Sequence, residues 1–461
     1  MLNDTIAAMS TPTGTGGIAV IRISGAEALQ ISEKVFCAKS GKRILEYSAR
    51  YAIFGDIFDS LSPIDSGLLT YYPAPNSFTG EDMVELSCHG GYTVSAMVLG
   101  AVLSAGARMA GAGEFTRRAF INDKIGLVEA EAIGNMLTAD SEGAVRLSQR
   151  HMNGALSEKI NSIVNELVSL ISSVYASIDY PEEDLEDMGD DELLERIDAL
   201  SEKCEALIST YKSGHAVAYG INTVIVGKTN VGKSSLFNAL IAQNKAIVTD
   251  IPGTTRDMLE QTVEIDGVAL RIFDTAGIRS NTDDIIESMG IDLAKEKAMS
   301  PDTELVLALF DSSRALDTSD AELLEILSNA DGKTIIPVLT KNDMDIKADV
   351  GLIESRLGEA FRICAVTGEG IDLLKKEIIS RFVTCGSEVG SGEVITNVRQ
   401  LSSLKKCLEK TEEAKRLVSE KMKDMALCEL ESAVNIVGEI DSRIVAEKVV
   451  NEIFSKFCVG K

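Results

Sequence analysis

Apolar positions change their spacing several times along the 461-residue chain. Up to about Asn122 they gather into short runs of strand character, Ile18–Ile23, Ala52–Phe58, Leu68–Tyr72 and Met83–Cys88, punctuated by Gly, Pro and Ser. With the continuous apolar stretch Val94–Leu103 among them, this part reads as α+β. From about Asp123 to Lys212 the spacing is helical. Ile160, Ile163, Leu167, Leu170, Val174 and Ile178 fall three or four apart and predict the packing stripe of a helix. From about Gly220 to Phe382 strand and helix signals alternate, as in an open α/β domain. Helical spacing returns after Ser387, where Val398, Leu401, Leu404 and Leu408 predict a second stripe, and it continues through Leu417 to Ile453.

Amphipathic segments on both flanks of the α/β part predict one helical domain made of two chain segments, with the α/β domain inserted between them. Insertion is tolerated because domain termini commonly lie close together. The expected fold class is therefore multidomain α/β: an α+β N-terminal domain over 1–122, a discontinuous α-helical domain over 123–215 and 385–461, and an α/β domain over 216–384. An inserted domain is attached by two crossings of the chain, through which it can pass motion to its host.

Charge narrows the choice of partners. The 45 basic and 71 acidic side chains give a formal net charge of −26, which opposes binding of a polyanion by the surface as a whole. Nucleic acid must then meet a local basic patch or a basic partner. Arg108, Arg117, Arg118 and Lys124 form the notable basic cluster of the first domain, readable as solvated surface or as RNA contact. The acidic run Asp179–Glu192 reads as a solvated linker and helix start. Eight cysteines without a CxxC pair argue against a zinc ribbon or a disulfide scaffold and fit a reducing cytoplasm. Apolar runs such as Ile221–Val226 and Leu305–Phe310 fall far short of the roughly 20 residues that span a membrane. Met1–Ser10 carries Asp4 and lacks a basic start, unlike a secretory signal.

The strongest chemical signal is Gly227-Lys-Thr-Asn-Val-Gly-Lys-Ser234, which matches GxxxxGK[ST] between a predicted strand, Ile221–Val226, and a predicted helix, Ser235–Ile241. Its glycines let the backbone curl so that successive N–H groups and the helix N-terminus face phosphate oxygens. Lys233 is expected to reach the β- and γ-phosphates and Ser234 to ligate Mg²⁺. Gly253-Thr-Thr-Arg-Asp257 follows, in which a threonine can complete the Mg²⁺ shell, Thr255 being the better candidate. Strands Glu260–Ile265 and Val268–Phe273, joined by the hairpin signal Asp266-Gly267, then deliver Asp274-Thr275-Ala276-Gly277 as the γ-phosphate switch. Guanine choice falls to Asp343 in Thr340-Lys341-Asn-Asp343, because a carboxylate accepting from N1–H and N2–H₂ rejects adenine. Thr340 stands where Asn is usual, which predicts a weaker hydrogen bond around the base. In the last loop, Cys364-Ala365-Val366, only Ala365 matches the common Ser-Ala-Lys. The expected GTP-binding set is Asn230, Val231, Gly232, Lys233, Ser234, Ser235, Thr249, Thr254, Thr255, Asp274, Thr275, Ala276, Gly277, Thr340, Lys341, Asp343, Cys364 and Ala365.

Ile278 occupies the place where signalling GTPases carry a water-positioning Gln, so the attacking water must be oriented by another group. An arginine finger supplies about 10³–10⁵-fold, on the order of 4–7 kcal/mol. A monovalent cation can do similar work if the P-loop offers an oxygen, and Asn230 offers one.

Outside these loops, Gly16-Gly17-Ile-Ala-Val-Ile-Arg22-Ile-Ser-Gly25, Asn76-Ser-Phe-Thr-Gly-Glu81-Asp82, Gly113-Glu-Phe-Thr-Arg-Arg-Ala-Phe-Ile-Asn-Asp-Lys124 and Phe457-Cys-Val-Gly-Lys461 appear in order. In these four stretches the chain resembles the TrmE-type tRNA-modification GTPases, the MnmE family, over essentially its whole length. The resemblance implies a Ras-like G domain stimulated by K⁺, held by Asn230 with Thr249, Ile251 and Thr254, and pairing of two G domains across their nucleotides. It also implies that Glu287 orients water as a catalytic residue beside Lys233. A folate-binding N-terminal domain used as a homodimer is further implied, with Arg22, Glu81, Lys124 and Lys461 around 5-formyl- or methylene-tetrahydrofolate. Cys458 is a candidate nucleophile for one-carbon chemistry. With a separate FAD-dependent partner in a heterotetramer, such a protein adds an aminomethyl or carboxymethylaminomethyl group at C5 of the wobble uridine of certain tRNAs.

Two rivals predict different things. A ribosome-assembly GTPase shares the P-loop and GTTRD but predicts an RNA-binding module after the G domain, where an acidic amphipathic segment stands. A stand-alone folate-dependent one-carbon transferase regulated by GTP predicts no effect on tRNA.

Overall fold

The computed structural model describes residues 4–460 apart from 13, 61, 180–188, 243–259, 274–295, 297, 331, 385, 442–452, 456 and 458. The chain divides into two compact units. One comprises 1–134, 160–168 and 431–461, and the other 135–159 and 169–430.

The first unit is built on a seven-stranded sheet. Its strands are β1 (Ile6–Met9), β2 (Ile18–Ser24), β3 (Phe36–Ala38), β4 (Ile53–Phe58), β5 (Pro63–Tyr72), β6 (Met83–His89) and β7 (Arg108–Met109), in the order β3-β4-β5-β6-β2-β1-β7. Pairing is antiparallel except between β1 and β7. Helices α1 (Ala28–Val35) and α2 (Tyr92–Ser104) cover one face. Strand alternation decides what each face carries. On β2, Ala19, Ile21 and Ile23 join Ile31, Leu86, Val98 and Val102 in the main core, which leaves Arg22 and Ser24 for the opposite face. There Ile6 and Ala8 of β1 pack with Phe115 of α3 (Glu114–Ile121) and with Phe78. Helix α4 (Leu127–Leu137) follows. The end of the chain returns to this unit: Phe454 packs with Phe120 and Leu127, and Val459 bridges Ala112.

Sequence runs placed the longer strands to within a residue or two, with one exception. Strand β5 begins at Pro63 because the polar residues Asp65 to Gly67 continue the ladder with β4, a pairing that apolar runs cannot signal.

The second unit opens with α5 (Glu142–Met152). Helix α6 (Ala155–Asp179), whose residues 160–168 belong to the first unit, buries the described part of the expected stripe, with Ile160, Ile163, Leu167, Leu170 and Val174 all at 2% exposure or less. Helices α7 (Asp190–Ser209) and α8 (Tyr211–Tyr219) lead into a six-stranded sheet. Its elements are β8 (Ile221–Gly227), α9 (Lys233–Ala242), β9 (Glu260–Ile265), β10 (Val268–Phe273), β11 (Leu305–Asp311), α10 (Thr318–Ser328), β12 (Thr334–Thr340), α11 (Val350–Leu357), β13 (Phe361–Arg362) and α12 (Ile371–Phe382). The order is β13-β12-β11-β8-β10-β9, parallel except for β9. Asp266 and Gly267, at φ of 48° and 82°, form the tight turn that Asp-Gly predicts.

Helices α13 (Gly386–Ser391), α14 (Val398–Ser419) and α15 (Lys423–Asp441) follow. The buried face of α14 matches the predicted one only at Leu404 and Leu417. It runs through Gln400, Leu404, Cys407, Thr411, Ala414 and Val418, while Val398 is 66% exposed. The cause is the small-residue contact with α7, where Ser201 Oγ lies 3.1 Å from Thr411 Oγ1 and the Cys204 and Cys407 thiols hydrogen-bond. Small side chains let the helices approach closely, so they occupy the seam in place of Leu408.

Among the described residues no helix is long and apolar enough to cross a membrane.

Candidate functional site

Open parallel sheets bind ligands beyond the carboxyl ends of their strands. That edge of the six-stranded sheet collects Gly227 at the end of β8, Asp311 at the end of β11, Thr340 at the end of β12 and Cys364 just past β13. Gly227, Asn230 and Gly232 adopt φ of 150°, 56° and 103°, a backbone that curls the 227–232 segment. Gly227 admits no other residue, since a Cβ there would stand 2.7 Å from Leu309 O. Val231 is buried beneath the loop, and Asn230 is exposed at its apex.

Lys233, the first residue of α9, turns back over the loop, its Nζ donating to Gly227 O at 2.8 Å and Lys228 O at 2.7 Å. Ser234 and Ser235 stand in the first turn of α9, where free backbone N–H groups favour anions. A curled backbone, a helix N-terminus and an ammonium held by neutral carbonyls make a phosphate cradle. The Ser234 hydroxyl is a hard oxygen of the kind Mg²⁺ takes, and the Asn230 carboxamide is one that K⁺ takes.

The cradle is braced from β12. Thr340 Oγ1 donates to Val231 O at 2.6 Å and is buried, so the hydroxyl that replaces Asn ties strand to loop. Lys341 follows in the left-handed region at φ 58°, and its Nζ reaches Asp311 Oδ2 at 2.7 Å. Burial alone would raise the Asp311 carboxyl, but hydrogen bonds from Lys341 and Ser313 outweigh it and hold the group below the usual range. Asp343 is exposed, with its Oδ1 3.4 Å from Cys364 Sγ, and Ala365 follows in the same loop. Asp311 escaped the sequence reading. Its signal was a carboxylate ending the wholly apolar strand Leu305–Phe310. Lys228 was passed over as well; it pairs with Asp317, the N-cap of α10, and so anchors the loop's near end.

Thr249, Ile251, Thr254, Thr255, Asp274, Thr275, Ala276, Gly277 and Glu287 lie outside the described residues, although β9 and β10 bring the chain from the first group and to the second.

In the first unit Arg22, Glu81 and Lys124 gather on the face opposite the main core. Arg22 pairs with Glu85 at 2.8 Å, its register partner on β6, and its guanidinium lies 5.6 Å from the Phe78 ring centroid and 5.7 Å from that of Phe115. Glu81 accepts from Ser24 Oγ at 2.8 Å and from Arg118 at 3.0 Å. Lys124 runs beside Gly80, and its Nζ donates to Pro75 O at 3.0 Å. Cys458 and Lys461 lie outside the described residues. Their neighbour Gly460 fits against β1, where a Cβ would meet Met9 O at 2.0 Å.

Of the basic cluster, Arg108 and Lys124 are exposed, whereas Arg118 is buried and spent on internal ion pairs. Arg118 is 1% exposed and contacts Asp4 at 2.8 Å, Glu81 at 3.0 Å and Glu114 at 3.1 Å, while Arg108 reaches Asp4 and Glu114, each at 2.7 Å. Burial would raise the Glu114 carboxyl, yet Arg108, the Gly111 N–H and Arg118 together lower it. Glu114 lies one helical turn before Arg118, but Asp4 and Glu81 come from distant segments that local periodicity does not reveal.

Family models match most of the chain: "MnmE helical domain" over residues 127–458 and "GTP-binding protein TrmE N-terminus" over 5–124. The tRNA modification GTPase MnmE of Clostridioides difficile is 41% identical over 463 residues, covering 100% of both chains. That of Syntrophus aciditrophicus is 39% identical over 466 residues with the same coverage. The solved G domain of the Thermotoga maritima FeoB iron transporter is 30% identical, covers 35% of this chain and 97% of that one, and gives a TM-score of 0.27.

Proposed function

The chain belongs to the MnmE family of tRNA modification GTPases, and from that premise we propose that it uses a K⁺-stimulated GTP cycle to drive modification of C5 of the wobble uridine. Its substrate is tRNA, its nucleotide GTP with Mg²⁺, and its hydrolysis is coupled to the modification. The observation that carries the nucleotide assignment is Lys233, poised on two carbonyl oxygens at 2.8 and 2.7 Å from which a phosphate can draw it. Ser234 and Thr255 are the Mg²⁺ ligands in this reading. Asn230, with Thr249, Ile251 and Thr254, holds K⁺ where an arginine finger would otherwise reach. Glu287 orients the attacking water, a task that Ile278 cannot perform.

The N-terminal unit binds tetrahydrofolate in this reading. Arg22 offers a cationic donor beside the Phe78 and Phe115 rings and Lys124 a second one near Pro75, which suits a flat, anionic ligand. Glu81, with about four acceptor sites on its carboxylate, can serve both Arg118 and a ligand N–H. Lys461 and Cys458 complete the site from the chain end. Tetrahydrofolate supplies the one-carbon unit, and an FAD-dependent partner, joined to a homodimer of this chain in a heterotetramer, supplies the redox chemistry. Such a partner carries most of the tRNA contact, because the chain is at −26 and Arg108 and Arg118 are spent on internal acids. Domain limits at 1–122, 123–215, 216–384 and 385–461 complete the proposal.

Nucleoside analysis of tRNA from a strain lacking the gene tests it: wobble uridines should lose their C5 substituent. Unaltered uridines would discard the reading. GTP turnover in K⁺ against Na⁺ buffer tests the cation separately, with equal rates removing Asn230 from its role.

A further inference from the structure

Several cations of the N-terminal unit meet carboxylates, as Arg22, Lys39, Arg43 and Arg108 do, but two exposed ones do not. Arg50 donates from Nη2 to Asn76 O at 2.8 Å, and Lys124 Nζ donates to Pro75 O at 3.0 Å. Two cations from distant parts of the sequence thus converge on adjacent carbonyls of the segment that joins β5 to β6. Neither pairs with a carboxylate among the described residues. The segment itself is fixed: Ala74 N–H donates to Asp82 Oδ1 at 2.9 Å, and Asn76 N–H to Pro73 O at 2.9 Å. Arg50 is held too. Its N–H donates to Tyr71 O at 2.8 Å, and its φ of 63° lies in the left-handed region, which a non-glycine residue keeps only where its surroundings enforce it. Further along the same segment, Phe78 sets its ring beside the Arg22 guanidinium. Burial and Glu85 raise the Tyr72 hydroxyl above its usual range while Arg22 and Arg50 both oppose the rise, so the two guanidiniums lie within electrostatic reach of one hydroxyl.

We propose that Arg50 and Lys124 form the receptor for the glutamate carboxylates of tetrahydrofolate, with Arg50 a binding residue beyond Arg22, Glu81, Lys124 and Lys461. The inference rests on the folate reading above and adds a grip on the end of the ligand that its one-carbon chemistry does not use. Tetrahydrofolate is flat at its pterin and carries its carboxylates at the opposite end. The Phe78 and Phe115 rings with Arg22 suit the first, and a pair of uncommitted cations suits the second. A guanidinium offers a carboxylate two parallel N–H donors, and an ammonium adds a point charge. Both side chains now rest on neutral carbonyl oxygens, which hold a cation less strongly than a carboxylate does, so an arriving tail can draw them off.

The test is calorimetric titration of the full chain with 5-formyltetrahydrofolate and with its dimethyl ester, in which both glutamate carboxylates are blocked. Wild-type protein should bind the acid more tightly than the ester. Arg50→Gln should weaken binding of the acid by roughly five- to tenfold and leave the ester unchanged. Arg50→Lys, which keeps the charge but not the fork, should fall between. A residue that merely clips the segment in place would, when replaced, weaken acid and ester alike, and that result overturns the proposal. Should Gln disturb the backbone at this position, Arg50→Asn suits the left-handed conformation and carries the same expectation. Equal affinity of the wild type for acid and ester would also overturn the proposal while leaving the folate reading in place. Binding of neither would bring down the folate reading itself, and the role of Arg50 with it.

Discussion

Both units pair buried charges, as Arg118 with its carboxylates and Lys341 with Asp311 show, but the nucleotide loop of the second unit also sets a cation against carbonyl oxygens. In the N-terminal unit the buried Arg118 is met by three carboxylates, Asp4, Glu81 and Glu114, and Arg22 by Glu85. At the nucleotide cradle of the second unit, Lys233 donates to two carbonyl oxygens. His151 of α5, in the same unit, is buried against the carbonyls of Gly392 and Val394. Full charge pairing fixes a structure, because removing one partner strands the others. Carbonyl dipoles leave a cation with attraction to spare, so an arriving phosphate can outbid them. The first arrangement builds a scaffold, and the second keeps a site ready for an anion.

That contrast can be broken at three points. Arg118→Met would take the buried cation from Glu81 and leave Asp4 and Glu114 to Arg108 alone, and should cost about 3–5 kcal/mol in denaturant unfolding of the N-terminal unit; a loss below about 1 kcal/mol would show that the cluster is not a scaffold. Lys233→Ala should lower GTP turnover on the order of 10²–10³-fold, since it removes a donor to developing phosphate charge. Thermal unfolding without nucleotide should move far less than in the Arg118 variant, because the bonds to Gly227 O and Lys228 O are not ion pairs. His151 sharpens the comparison through pH. Burial pushes its imidazole down to about 4, the carbonyls of Gly392 and Val394 offsetting only part of that shift. The folded protein therefore resists a proton that the unfolded chain takes up near pH 6.5. Stability from this group is present above pH 6.5 and is lost as pH falls through about 4, by up to about 3 kcal/mol. His151→Gln should flatten that part of a stability curve measured by urea titration, and an unchanged slope would show that His151 is protonated in the fold.

Much of the architecture was legible because local signals and burial agree. The strand run Ile221–Val226, the Asp266-Gly267 turn and the stripe through Ile160 and Leu167 each carry their own periodicity or turn chemistry. What escaped depends on partners far away in sequence. No local feature of Arg118 announces Asp4, 114 residues earlier, or Glu81. Nor does the apolar count of α14 reveal that Cys407 and Thr411, rather than Leu408, face α7. At the nucleotide site the motif spacing singles out Thr340 without showing what its hydroxyl holds in the fold. Its hydroxyl makes a buried 2.6 Å bond to the phosphate loop, which propensity and motif spacing could not foretell.

The account turns on the loop from Gly227 to Ser234 receiving guanine-nucleotide phosphates. Calorimetric titration of folded full-length protein with GDP and with ADP, in Mg²⁺ and K⁺, tests this most directly. Saturable heat for GDP and none for ADP is the predicted result; silence with both, or equal heats from both, would contradict it.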